Sequence, residues 1–549
     1  MSVRDSRRHA VILLLGVMAA VVLGCGEQPP GEMSSSAVAP AAAPPEGAPR
    51  LIVYVVVDQL RADEIGRYDE LWTGGFRRLV DEGTWFTEAY HDHAGTSTAT
   101  GHATLATGAL PRRHGIIGNR WFRREMGEEV EAVHDPDDEV SPRQLMVPAL
   151  GDLLKARYPE ARVFSVGGKD RATMFSAGHG PDGAYFYDKD TGTFVTSTYY
   201  HRPVPGWLEE FNDHGPVDGA FVTGWVPLVP VDELATFGIR PVDRGPFTRT
   251  LPRELGVEPT LYPDESYYKA IYRSPFVDEA TVDLATEILD REALGTDEWP
   301  DLLAVTLAAT DTVGHRHGID SPERVDTLLR ADRSLGRLLG ALDRSVGLDQ
   351  VVVSLASDHG VTEIPELLAR EGVSARRMGW EGVQCLHQVG AALVQRFGPG
   401  RWLEHHLYVN RELADEAGVD PEVVEDAAAE LVAACPGVAR VHDGDDLQRR
   451  DDLDPVERLY ANHYHPDRSP DLLVQLDEHV IQTDNLTTHG SPYEYDRHVP
   501  WIVRIPGGAH GQLAVPVRTV DVAPTLGALV GVEVDADGED RAGLLRRAP

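Results

Sequence analysis

The chain has 549 residues, 42% hydrophobic and 25% charged, close to ordinary globular usage. That excludes a mostly disordered, collagenous or multi-span membrane protein. A formal net charge of -37 argues against nucleic acid as the main partner, because phosphate backbones need basic footprints. Three cysteines exclude a disulfide scaffold or a four-cysteine zinc module, so carboxylates and the 22 histidines must hold any metal.

The N-terminus reads as an export signal over residues 1–24. Arg4, Arg7 and Arg8 form a basic start, and residues 10–24 are an uncharged apolar run of 15, short for a membrane span. It ends in Val22-Leu23-Gly24-Cys25, which resembles a bacterial lipobox with Cys25 as the lipidated first residue of the mature protein. Cleavage there would remove Arg4, Asp5, Arg7 and Arg8, taking the charge from -37 to -39. Residues 25–50, rich in Pro, Ala, Ser and Gly, read as a flexible tether. Cys385 and Cys435 remain, either as a pair or as buried thiols.

The folded part opens with Leu51-Ile-Val-Tyr-Val-Val-Val57 and then Asp58. An unbroken β-branched run predicts a parallel strand buried on both faces. The pattern recurs over residues 302–309, leading to Asp311, and over 351–356, leading to Asp358-His359-Gly360. Open α/β sheets bind ligands beyond the carboxyl ends of their strands. Three strands that each deliver an aspartate there would converge carboxylates on one crevice, with His315 four residues after Asp311 and His359 beside Asp358. Carboxylate and imidazole are the ligands a catalytic zinc accepts without Cys, and two such groups suggest two metals.

Between the first two strands, Gly95-Thr-Ser-Thr-Ala-Thr-Gly-His-Ala-Thr-Leu-Ala-Thr-Gly108 reads as a hydroxyl-rich turn entering a helix. A hydroxyl at that helix start could serve as a metal-activated nucleophile, with Thr96, Thr98 and Thr100 as candidates. Further on, Gly167-Gly-Lys-Asp-Arg171 follows a short apolar strand. If extended, it would aim Lys169 and Arg171 to the same side, suited to a phosphoryl group.

These blocks together (VVVDQLR, TSTATGHATLATG with HGIIGN, GGKDRA, FVTSTYY, TDTVGH, SDHG and THGSPYEYDRHVP) resemble the alkaline phosphatase superfamily. Within it the chain is most similar to the monomeric, phosphate-irrepressible bacterial type, related to nucleotide pyrophosphatase/phosphodiesterases. The resemblance implies an α/β fold over residues 51–545: a mainly parallel sheet flanked by helices, with two cap insertions at about 180–275 and 365–480. It implies two Zn2+, one held by Asp311, His315 and His489, the other by Asp58, Asp358, His359 and the Thr98 oxygen. Thr98 would be the nucleophile, forming a phosphothreonine, while Asn119, Lys169 and Arg171 contact the phosphoryl oxygens. The implied activity is phosphate monoester hydrolysis, with phosphodiesterase or nucleotide pyrophosphatase chemistry on the same scaffold as the alternative.

The expected partners are phosphorylated small molecules and, through Cys25, a membrane. The expected state is a monomeric periplasmic or cell-surface lipoprotein. His91, His93, His102 and His114 are expected to be structural or surface residues. The aromatics of the first insertion (Tyr185, Phe186, Tyr187, Tyr199, Tyr200, Trp207, Trp225) suit a small core under a cap or a substrate wall. With so acidic a chain, attraction of an anionic substrate has to be local, in a positive pocket.

Overall fold

The computed structural model describes residues 43–242, 251–256, 261–405 and 407–546. The export signal, Cys25 and most of the tether lie outside the described residues. The end of the expected tether is docked rather than free: Arg50 N–H donates to Gln350 O at 2.9 Å, and Pro45 packs against Gly531.

Nine strands form one sheet: β1 (Leu51–Val57), β2 (Thr84–Tyr90), β3 (Val163–Gly167), β4 (Gly183–Asp188), β5 (Thr193–Val195), β6 (Asp301–Leu307), β7 (Val351–Ala356), β8 (Trp501–Arg504) and β9 (Gly511–Arg518). Their order is β9-β2-β8-β7-β1-β6-β3-β4-β5. Only β8 and β5 run against the rest. The sheet is mainly parallel, as the apolar runs predict.

β1 explains why. Leu51, Val53, Val55 and Val57 enter one hydrophobic core, and Ile52, Tyr54 and Val56 enter the other. Side chains alternate across a strand, so a strand covered on both faces must be apolar at every position. Each such buried side chain contributes about 1.5–3 kcal/mol. On the first face lie helices α3 (Phe276–Arg291) and α5 (Pro322–Ser345); on the second lies α8 (Val522–Val530).

The register aligns the strand ends. Val57 pairs with Leu307, and Val56 with Ala356. Three neighbouring central strands, β7-β1-β6, therefore finish level, and Asp58 N–H continues the ladder to Leu307 O at 2.9 Å.

One expectation about the insertions needs correction. Residues 183–195 are not a cap: they are β4 and β5, which extend the sheet edge, with Tyr185, Tyr187 and Phe194 in its core. Within the second insertion, helices α6 (Trp380–Phe397) and α7 (Pro421–Ala433) enclose a satellite core around Leu393, Trp402, Val424 and Val432. Cys385 and Cys435 are joined there by a disulfide.

Candidate active site

Three elements start at the level end of β7-β1-β6. Helix α1 (Thr98–Thr107) follows Ser97, its N-cap, and every one of its residues is buried. Helix α2 (Asp170–Ala177) begins after β3 with the extended Lys169 as its N-cap, so the segment does not stay extended to Arg171, which lies in the first turn of the helix. Helix α4 (Ala309–His317) begins after β6 and carries Asp311 in its first turn and His315 one turn on. Asp278 of α3 pins that start: its carboxylate accepts from Ala308 N at 2.7 Å and Ala309 N at 3.1 Å. Burial pushes Asp278 up to about 8.

Asp58, Asp358 and His359 are brought together, as are Asp311, His359 and His489, each set with ligand atoms within 4.8 Å of one another. His359 stands between the sets, its ring stacked on His489 at 3.6 Å. His315 Nε2 lies 3.0 Å from Asp311 Oδ1, and His489 Nε2 3.5 Å from the same oxygen.

The proton positions decide what this arrangement can hold. His315 donates Nδ1–H to Thr487 O (2.8 Å), His489 to Thr96 O (2.7 Å) and His359 to Gly360 O (2.9 Å). Each neutral ring then offers an Nε2 lone pair to carboxylates that are themselves acceptors. His359 Nε2 sits 3.5 Å from Asp58 Oδ1 and 3.4 Å from Asp358 Oδ2, and none of these three buried atoms has a hydrogen-bond partner. Buried acceptors facing acceptors fit a cation, and imidazoles pinned through Nδ1 are how proteins orient zinc ligands.

Lys169 offsets part of this charge. Its Nζ donates to Asp58 Oδ2 at 2.6 Å and Asp311 Oδ2 at 2.5 Å. Two of its three N–H donors are used, leaving one for an incoming anion. Burial pushes Asp311 up, but the Lys169 ammonium outweighs it and holds the carboxyl well below its usual range. Asp358 is driven well up, by burial first and then by Asp58. Burial drives His359 well below the ordinary imidazole value.

The remaining candidates are adjacent. Asn119 Oδ1 accepts from Ala99 N at 2.9 Å, which places its amide beside Thr98 and frees its NH2 to donate. Lys169 and Arg171 line one cleft of about 820 Å3, and Arg171 Nε is buried without a partner. That cleft is not positive overall. Seven carboxylates, among them Asp137, Asp138, Asp188 and Asp190, line it against Lys169 and Arg171 at its floor and the exposed Lys189 on a wall. Its walls are residues 131–140 and 186–198, and no residue of 365–480 is among them. Phe186 and Tyr187 reach it, while Trp225 is fully buried.

Sequence reasoning missed three neighbours of the site. His91, His93, His102 and His114 are all fully buried, none at the surface, and His102 Nε2 stands 3.6 Å from Asp358 Oδ2. Gln59 directly follows Asp58, and only its place in VVVDQLR could have flagged it. Arg324, at zero exposure, bonds Gln59 from α5, and nothing in its local sequence marks it.

Comparison with known proteins places this geometry. The chain belongs to the type I phosphodiesterase / nucleotide pyrophosphatase family, whose profile matches residues 52–498. The alkaline phosphatase PafA of Elizabethkingia meningoseptica is 29% identical to it, over 88% of this chain and 92% of that one. The alkaline phosphatase PhoK of Sphingomonas sp is 31% identical, covering 90% of each. The crystal structure of wild-type PafA matches with a TM-score of 0.83 at 28% identity, covering 91% of this chain and 99% of that chain. The fold and the kinship are those the motifs implied.

Proposed function

We propose that this protein is an alkaline phosphatase, a metal-dependent phosphate monoester hydrolase. The observation that carries this reading is the set of buried, unpartnered donors at the end of β7-β1-β6, next to Thr98, Asn119 and the Lys169–Arg171 floor. Asp311, His315 and His489 would hold one Zn2+, and Asp58, Asp358, His359 and Thr98 the other. Bound there, two zinc ions would lower the pKa of the nucleophile and of water and neutralise charge on the attacking and leaving oxygens.

The chain's own residues do the rest. Thr98 attacks phosphorus in line, the leaving alkoxide departs opposite, and water then hydrolyses the phosphothreonine. Asn119 NH2, the spare Lys169 N–H and the Arg171 guanidinium bind the non-bridging oxygens, so catalysis rests on positioning and fixed charge. The family's phosphodiesterase name favours diester cleavage as the second reading. Export as a monomeric lipoprotein anchored through Cys25 belongs to the same proposal, and the Cys385–Cys435 disulfide supports an oxidising compartment.

The test is turnover of an aryl phosphate by Thr98→Ala with metal content measured alongside. Two zinc ions per chain and at least a 1,000-fold loss of kcat are expected, on the order of a nucleophile deletion. Full activity in Thr98→Ala would overturn the assignment.

A further inference from the structure

The structure assigns Gln59 as a positioning residue that ties the two metal-ligand groups together; this rests on the two-metal reading above. Gln59 follows Asp58 in the chain. Its backbone N–H donates to Asp358 Oδ1 at 3.1 Å, and its side-chain Nε2 donates to Asp311 Oδ1 at 2.7 Å. One residue therefore succeeds one candidate ligand and bonds two others, the three lying beyond the ends of β1, β6 and β7.

The amide cannot be turned the other way. Arg324 Nη1 donates to Gln59 Oε1 at 3.1 Å, and Arg324 Nη2 to Gln59 O at 2.7 Å. A guanidinium has no acceptor, so the atom facing it must be the amide oxygen, and Nε2 must face Asp311. Arg324 is itself fixed by both oxygens of Glu64, at 3.0 and 2.7 Å, and by Thr310 O at 2.6 Å. All of Gln59, Arg324 and Glu64 are buried.

Two further features hold the side chain in place. Gln59 has φ of +66°, a left-handed conformation that is strained for a non-glycine residue. Gly314 makes room for the amide, since a β-carbon there would overlap Gln59 Oε1. Strain and a cleared space at one buried amide mark a conformation held by its surroundings.

The consequence is directional. Asp311 Oδ1, which faces His315 and His489, has one lone pair occupied by Gln59, leaving the other for a cation. Asp358 Oδ1 is occupied by the Gln59 N–H, leaving Oδ2 for the cation near His359. Gln59 thereby fixes the orientation of both carboxylates and ties the two groups at one separation.

The experiment measures zinc affinity by chelator competition in the wild type, Gln59→Met and Gln59→Gly. Met keeps the length and loses the amide; Gly also relieves the strained φ. Thermal melts of the metal-stripped proteins report the fold. We expect a 10- to 100-fold loss of zinc affinity in both variants, the range seen for groups that orient ligands, with cooperative melting retained and KM within about three-fold of wild type. Zinc affinity within two-fold of wild type in both would overturn the inference while leaving the two-metal reading intact. Zinc loss together with collapse of the stripped fold in both variants would also overturn it, because Gln59 would then be a fold-wide bond. A wild type that binds no zinc would overturn the two-metal reading and this inference with it.

Discussion

Gly101 lies flat against Asp358: a β-carbon on Gly101 would overlap the Asp358 carbonyl oxygen and sit 2.7 Å from the Asp358 β-carbon. Helix α1 can lie on the loop after β7 only because this position lacks a side chain. Thr98 starts that helix, so the contact sets the height of Thr98, the proposed nucleophile, above the carboxylates. Gly101→Ala must push the helix or the loop aside. A displacement of about 1 Å near reacting groups is worth roughly 100-fold in rate. The expected result is a fall in kcat/KM of that size with zinc still bound, read from kinetics and metal analysis; unchanged kinetics would show that the helix sits there for other reasons.

Arg171 separates monoester from diester chemistry. A monoester presents more charged oxygens than a diester, so a cation on the cleft floor matters more to it. Arg171→Ala is expected to lower kcat/KM by about 100-fold on an aryl phosphate, the scale of losing one charge-stabilising donor, and by under about ten-fold on an aryl phosphodiester. Equal losses would favour the diesterase reading. Lys169→Ala is the less clean probe, because Lys169 also bridges Asp58 and Asp311.

Acid should destabilise the fold through its buried histidines. Burial holds His91 at about 3 and His463 at about 4, against about 6.5 when unfolded. Below pH of about 6.5 the unfolded chain binds protons that the native rings refuse, so stability falls as pH falls, by up to about 1.4 kcal/mol per pH unit for each ring. The loss continues to about pH 4 for His463 and about pH 3 for His91. Denaturant midpoints between pH 7.5 and 4.5 (roughly the window in which both titrate when unfolded) should show a shallower slope in His463→Gln than in the wild type. Identical slopes would mean that His463 is already charged in the native state.

The Cys385–Cys435 disulfide closes a loop with a sequence separation of 50 residues. Loop-closure entropy for that length is worth roughly 4 kcal/mol. Replacing both cysteines by serine should lower the melting temperature of the satellite core by several degrees yet leave kcat/KM within about two-fold, since that core does not line the Lys169 cleft. A large kinetic loss would instead make the second insertion part of the active site.

Much of the site was legible because its carriers obey strong rules. The unbroken apolar run of β1 can exist only in a strand covered on both faces, and the aspartate that ends it must then lie at the sheet's edge. What was hidden depends on tertiary contact. Arg324 sits in a helix with four other arginines up to residue 344, and no local signal separates the buried one. Glu128–Glu131 drew no notice in the sequence; the strand pairs with Arg120–Arg123, keeps its glutamates exposed, and its end stands at the cleft. The Lys169–Arg171 segment was read as extended, but only Lys169 is, and the backbone turns into α2 directly after it. Residues 183–195 read as an insertion because their aromatics carry no buried-strand pattern of aliphatic residues, and only pairing with β3 makes them sheet.

The three strands that lead to the candidate ligands Asp58, Asp311 and Asp358 are neighbours in the middle of nine, not members of an edge or a flap. A central strand cannot peel away without breaking two ladders, so these strands belong to the unit that opens only with global unfolding. The carboxylates therefore cannot drift apart in a local fluctuation. On the two-metal proposal, metal exchange would proceed through the mouth of the cleft, past intact walls, and ligand dissociation rather than breathing of the scaffold would set the lifetime of the loaded enzyme.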